Sequence, residues 1–253
     1  MSSTHYIQTT TKGNVAFVEF FHQASNSFPS SQLAALTETI NQLNDEKNIS
    51  VIVLKSAGEK AFCAGASFDE LLSITNLEDG GTFFSGFANV INAMRTSNKI
   101  IVGRIQGKTV GGGVGLAAAC DYTFATTKAQ IKLSELAIGI GPFVIEPAVS
   151  RKIGIPALAE MTLEAETWKS AEWAHENKLF TQLFDSTEAM DEALDAFTQR
   201  LSSYNPEALH EMKKVLWEGT EHWGALLKER AAISGKLVLS DFTVNALNAF
   251  KKK

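Results

Sequence analysis

The chain has 253 residues, 45% of them hydrophobic and 20% charged, which is enough apolar material for one large core. A formal net charge of -5 argues against a general nucleic-acid binder, and the basic run Lys251, Lys252, Lys253 reads as a solvated tail. Two cysteines, Cys63 and Cys120, are too few for a disulfide framework and stand at no metal-ligand spacing, so reduced thiols and no metal are expected. Residues 1–11 are polar, without the apolar region of a secretory signal, and no apolar run reaches the length of a membrane span. A soluble, cytoplasmic protein is expected.

In chain order, residues 15–21 (VAFVEFF) predict a strand. Residues 30–44 predict a helix, with Leu33, Leu36, Ile40 and Leu43 at helical spacing and Ser30 or Ser31 as its cap. Residues 51–54 (VIVL), 100–105 and 121–125 are short apolar runs of the kind found in strands buried on both faces. Phe84, Phe87, Val90, Ile91 and Met94 give the helix ending near Thr96 an apolar face, and residues 114–119 are helix-friendly. Strands alternating with helices indicate an α/β fold. From Thr187 onward the pattern is helical, in residues 188–202, 206–217 and 222–239, and the expected division is a core over 1–190 and a helical region over 191–253.

Three segments could carry chemistry. Residues 60–70 (KAFCAGASFDE) follow a predicted strand and open a helix at Ser67; the small residues let a ligand approach backbone N–H groups. Residues 107–115 (GKTVGGGVG) resemble a phosphate-binding loop only superficially. Val102 stands where that motif needs its first glycine, and three adjacent glycines do not make a dinucleotide fingerprint. What remains is a glycine turn that starts a second helix. Two N–H donors at two helix starts, if they converge, would make an oxyanion hole. In residues 132–147 (KLSELAIGIGPFVIEP), Glu135 lies among apolar and small residues, where burial would raise its pKa and suit it to acid–base work. Glu146 precedes Pro147 and reads either as a second pocket carboxylate or as a helix-terminal charge complementing the dipole.

Together AFCAGASFDE (61–70), GGGVGLAAACDYTFAT (111–126) and KLSELAIGIGPF (132–143) resemble the crotonase superfamily, the enoyl-CoA hydratase/isomerase family, in order and spacing across roughly residues 10–185. Trp168 to Ala174 is similar to a later helix of that family. The resemblance implies a spiral of ββα turns and a helical C-terminal region that builds trimers, often paired into hexamers. It implies backbone donors at Ala66 and Gly112 for a thioester oxygen. Ala64, Ser67, Phe68, Gly111 and Phe143 would line the acyl-CoA, and coenzyme A would enter as part of the substrate with no separate cofactor. Glu135 matches the family's acid–base glutamate. The family's hydratases carry another glutamate three residues after the second donor, and here that position is Gly115.

Two reactions therefore stay open. In one, Glu146 supplies the missing carboxylate and a trans-2-enoyl-CoA is hydrated to the 3-hydroxyacyl-CoA; this is the reading the sequence favours. In the other, Glu135 alone moves a proton from C2 to C4, as in Δ3,Δ2-enoyl-CoA isomerases, which residues 140–143 (IGPF) also resemble. The superfamily includes thioester hydrolases and decarboxylases too. A non-catalytic acyl-CoA- or RNA-binding protein is the alternative of another class, opposed by Glu135 beside intact donor loops and by the acidic charge balance.

Overall fold

The computed structural model describes residues 4–251, so residues 1–3 and 252–253, at the polar start and the basic tail, lie outside the described residues. The strands in chain order are β1 (His5–Lys12), β2 (Val15–His22), β3 (Val51–Ser56), β4 (Ala61–Cys63), β5 (Ile100–Ile105), β6 (Lys108–Val110), β7 (Tyr122–Thr126), β8 (Ile131–Lys132) and β9 (Gln182–Phe184). They form a six-stranded sheet ordered β1-β2-β3-β5-β7-β9 and a three-stranded sheet ordered β4-β6-β8. Apart from the antiparallel β1/β2 hairpin, every pairing is parallel. From β3 to β8 successive strands alternate between the sheets, so the chain winds as a spiral of ββ turns with helices inserted.

The VIVL run is the centre of the large sheet. Val51, Ile52 and Val53 register against Ile100, Ile101 and Val102, all buried, with β2 on the other side. Each such side chain contributes about 1.5–3 kcal/mol by leaving water. β1 was not foreseen in the sequence: it is an exposed edge strand of mostly polar residues and carries no apolar alternation.

The helices are α1 (Ser30–Asp45), α2 (Phe68–Ser73), α3 (Leu77–Thr96), α4 (Gly112–Ala119), α5 (Glu146–Leu163), α6 (Ala171–Glu176), α7 (Thr187–Ser202), α8 (Pro206–Leu216), α9 (Trp223–Leu237) and α10 (Asp241–Lys251). α1 buries Leu33, Leu36, Ile40 and Leu43 as expected. Its cap position is Pro29, however, and Ser30 instead donates its N–H and hydroxyl to Glu70 Oε2 at 2.8 and 2.6 Å. α5 breaks at Gly154 (φ 73°, ψ 163°), and Pro156 starts its second half.

The late helices return to the core. Met190 and Leu194 of α7 pack with Val53, Val102 and Phe124 beneath the large sheet. α8 is tied down by a buried ion pair: Lys213 Nζ donates to both oxygens of Asp121 at 2.9 and 2.7 Å. The same carboxylate accepts from Trp217 Nε1 at 2.6 Å and Ile101 N–H at 2.7 Å. Every acceptor lobe of Asp121 is therefore used, which is the condition for a buried charge to be tolerated. Both cysteines are free and buried, and burial pushes each thiol up to about 12. No helix among the described residues is long and apolar enough to cross a membrane.

Candidate active site

The small sheet builds the site. β4 and β8 flank β6 in parallel, with Ala61 opposite Lys108 and Val110 opposite Lys132. Parallel neighbours end on the same side, so the three loops leaving them emerge together. Those loops are the three segments singled out in the sequence. The N–H of Gly111 donates to Lys132 O at 3.0 Å and holds the second loop to the third.

The first loop carries Ala66. Phe28 N–H donates to Gly65 O, and Ser67 N–H donates to Phe28 O, both at 2.8 Å. Because N–H groups alternate along extended chain, the N–H of Ala66 faces away from Phe28. The second loop turns at Gly111 (φ 52°, ψ -119°) into α4, whose first residue, Gly112, keeps an N–H without an intrahelical partner. A β-carbon on Gly65 would stand 3.6 Å from Gly112 N, so the two donor loops touch where their amides emerge. Both Ala66 and Gly112 line one cavity of about 160 Å³.

Glu135 lines the same cavity from the third loop. Although the residue as a whole is only half-buried, its carboxylate is enclosed, and Oε2 has no hydrogen-bond partner. Burial raises its pKa from 4.5 to about 7, opposed only in part by its own backbone N–H. The approach of this carboxylate to the glycine turn is close: a β-carbon on Gly111 would lie 2.8 Å from Glu135 Oε1. A glycine at 111 is thus required both by its positive φ and by its neighbour.

The remaining wall is almost entirely apolar. Leu71, Phe83, Phe84 and Phe87 close it on the α2–α3 side, and Ile138, Ile140 and residues 142–145 on the other. Phe83 is both a core and a wall residue, 6% exposed yet lining the cavity. Ala64, Phe68, Gly111 and Phe143 are in the wall as expected. Ser67 is not. Its hydroxyl accepts from Glu70 N–H and caps α2, which is what a serine before a helix does.

Glu146 is the main correction. It is absent from the cavity wall and lines a separate recess with Pro142, Phe143, Ile155 and Arg230. It stands in the first turn of α5, with Arg230 Nη2 3.7 Å from its Oε2. The helix-terminal reading is the one its position matches. Gly115, meanwhile, has no room for a side chain. A β-carbon there would come within 2.7 Å of Ile145 Cβ, so Ile145 fills the space into which a residue at 115 would project.

The family model described as enoyl-CoA hydratase/isomerase matches residues 10–240. The chain belongs to the enoyl-CoA hydratase/isomerase family. It is 26% identical over 213 residues to the short-chain-enoyl-CoA hydratase of Clostridium acetobutylicum, covering 83% of this chain and 80% of that one. It is 25% identical over 199 residues to the peroxisomal Delta(3,5)-Delta(2,4)-dienoyl-CoA isomerase of Arabidopsis thaliana, covering 73% and 70%. In fold it is similar to the crystal structure of enoyl-CoA hydratase from Bacillus halodurans, with a TM-score of 0.90 at 21% identity over 96% of this chain and 99% of that chain. The chain is an enzyme of this hydratase/isomerase family, with an acyl-CoA thioester as its substrate class, and its spiral is the crotonase fold.

Proposed function

We propose that the chain is a one-carboxylate enoyl-CoA isomerase that converts 3-enoyl-CoA to 2-enoyl-CoA through Glu135. The observation that carries this reading is that Glu135 is the only carboxylate in the wall of the cavity holding the two donor loops, among the described residues. The space beside Gly115 is filled by Ile145, and Glu146 belongs to another recess. These two facts favour a single working carboxylate over hydration through a second one.

The thioester oxygen takes the N–H groups of Ala66 and Gly112. Glu135 removes a proton from C2, and the electron pair moves into the thioester as a dienolate whose negative oxygen the two amides hold. The same carboxyl then returns its proton to C4, and the double bond moves from C3–C4 into conjugation at C2–C3. No proton is gained or lost overall. A carboxyl poised at about 7 suits both halves, since it takes and gives a proton near neutrality with little driving-force penalty.

An outer groove shares Ala64 and Val110 with the cavity and brings together Lys60, Lys108, Lys128 and Trp168. Lys108 and Lys132 place their ammonium groups 5.0 and 4.6 Å from the Trp168 ring centroid. This basic groove is where the phosphates of coenzyme A are assigned in the proposal, and no cofactor beyond the substrate's own coenzyme A is invoked. A homotrimer or pair of trimers belongs to the same proposal; exposed Ile155, Leu163 and Val215 support it as apolar surface.

The test is conversion of a 3-enoyl-CoA, followed by growth of the conjugated thioester absorbance, beside hydration of crotonyl-CoA, followed by its loss. Wild type and Glu146→Gln should isomerise alike, and Glu135→Gln should fall about 100- to 10,000-fold. Hydration of crotonyl-CoA by wild type that is abolished in Glu146→Gln would instead establish the two-carboxylate hydratase.

A further inference from the structure

Helix α9 and its C-cap present an inward stripe of Leu227, Ala231, Ser234 and Val238, spaced by three or four residues and each no more than 3% exposed. Three are apolar. Ser234 is a hydroxyl at a core position, 1% exposed, and it lines the cavity that holds Glu135. α9 lies close against α3 near this position. Gly80 of α3 and Gly235 of α9 pack backbone to backbone, so that a β-carbon on Gly80 would meet Gly235 O at 2.7 Å. Gly80 lies one turn before Phe83 and Phe84, which line the same cavity as Ser234.

Serine and threonine hydroxyls inside helices ordinarily bond back to a carbonyl one turn earlier. Here Thr37 does so to Leu33 O at 2.9 Å, Ser85 to Gly81 O at 2.7 Å and Thr96 to Asn92 O at 2.8 Å. Ser234 makes no such bond, and its hydroxyl has no partner among the described residues. An unpaired hydroxyl in an apolar wall destabilises the free protein unless something that enters the cavity pairs with it. The same wall includes Phe83, Phe84, Leu71 and Ile138, and its other polar side chains among the described residues are Ser134 and Glu135. Ser134, the other serine of the wall, lies beside Glu135 and is half-exposed.

We propose that Ser234 is a specificity-determining residue whose hydroxyl pairs with an oxygen substituent on the acyl chain, so that the preferred substrates are acyl-CoA thioesters bearing a hydroxyl on the terminal carbon of a short chain. The inference rests on the acyl-CoA reading of the cavity, and its test uses binding so that it does not depend on which reaction Glu135 performs. Saturated acyl-CoAs of four to eight carbons, each with and without a terminal hydroxyl, are titrated by calorimetry into wild type, Ser234→Ala and Ser234→Thr. At least one hydroxylated chain should bind wild type about 3- to 10-fold more tightly than it binds Ser234→Ala, the worth of one hydrogen bond. Its plain counterpart should bind both proteins alike, and Ser234→Thr, which keeps the hydroxyl, should retain at least half of the preference. Equal weakening of plain and hydroxylated chains in Ser234→Ala, or no hydroxylated chain that distinguishes it from wild type, overturns the proposal. Failure of every acyl-CoA to bind wild type overturns the acyl-CoA reading together with it.

Discussion

Replacing Glu135 by glutamine should abolish proton transfer and, at alkaline pH, make the protein more stable. The carboxyl is enclosed, lacks a partner for Oε2, and has its pKa raised by burial from 4.5 to about 7. A folded-state pKa above the unfolded one means that the folded chain holds a proton the unfolded chain has released. Wild-type stability from this group is therefore fully present below pH 4.5 and is lost as pH rises through about 7. At about 1.36 kcal/mol per pH unit the loss amounts to ~3 kcal/mol, a large share of the stability of an ordinary domain. Glutamine has nearly the shape of the protonated acid and no charge to desolvate. Urea unfolding of wild type and Glu135→Gln at intervals from pH 5 to pH 9 measures the difference directly. It should widen through the window from 4.5 to 7 and stay near ~3 kcal/mol above it. A difference that does not change with pH, or a glutamine variant less stable than wild type at pH 8, would mean that the carboxylate is solvated and the reasoning about its poise is wrong.

The same titration should govern turnover: because C2 deprotonation needs the carboxylate form, kcat/KM for a 3-enoyl-CoA should rise from pH 5 and level off above a midpoint near 7, and a flat profile over that range counts against Glu135 as base. Gly112→Ala places a β-carbon in the Phe87 ring and should lose about 1–3 kcal/mol in urea denaturation, with kcat falling as the donor amide shifts; combined with Phe87→Ala, the total loss should be smaller than the sum of the two single losses. Lys213→Ala strands the buried Asp121 carboxylate and should cost about 3–5 kcal/mol, whereas full stability in that variant would refute the buried-pair account. Lys108→Ala combined with Lys128→Ala should raise KM several-fold, by about 0.5–1 kcal/mol per lost phosphate contact, while kcat holds; a fall in kcat alone would move these lysines out of the coenzyme-binding role.

Much of the spiral was legible because its central strands open on apolar runs, and a strand buried on both faces needs such a run. VIVL and residues 100–105 announce themselves for that reason. β4, β6 and β8 have only two or three residues, too short for any periodicity, and the sequence conveyed their positions only through the glycine-rich loops that follow them. α10 falls in the region read as helical, although the sequence did not mark its bounds, and it packs against the turn that carries Glu135: a β-carbon on Gly139 would meet Phe242 Cδ1 at 2.6 Å. Glu135 was legible from its apolar flanks. The side to which Glu146 points was not legible, because adjacency in sequence to an apolar stretch does not say which side of the stretch a side chain leaves from. Ile145 points to Gly115 and Glu146 to Arg230, although they are consecutive residues. Ser234 left no local signal beyond a hydroxyl in an apolar stripe.

The number of carboxylates in the cavity is set by packing between distant parts of the chain. A side chain at position 115 would need the volume that Ile145 occupies, so a glycine at 115 and a branched residue at 145 form one choice made at two positions. That choice has an electrostatic consequence for Glu135. A second carboxylate nearby would raise its pKa by repulsion, whereas here burial accounts for the rise to about 7. It has a chemical consequence as well. With no other carboxylate in the wall among the described residues, a proton taken from C2 has no second side chain of that kind to pass to, and water has one carboxylate rather than two to hold it against C3. On the proposed isomerase reading the proton returns to the substrate, and C4 of the dienolate is the carbon that accepts it with conjugation as the gain.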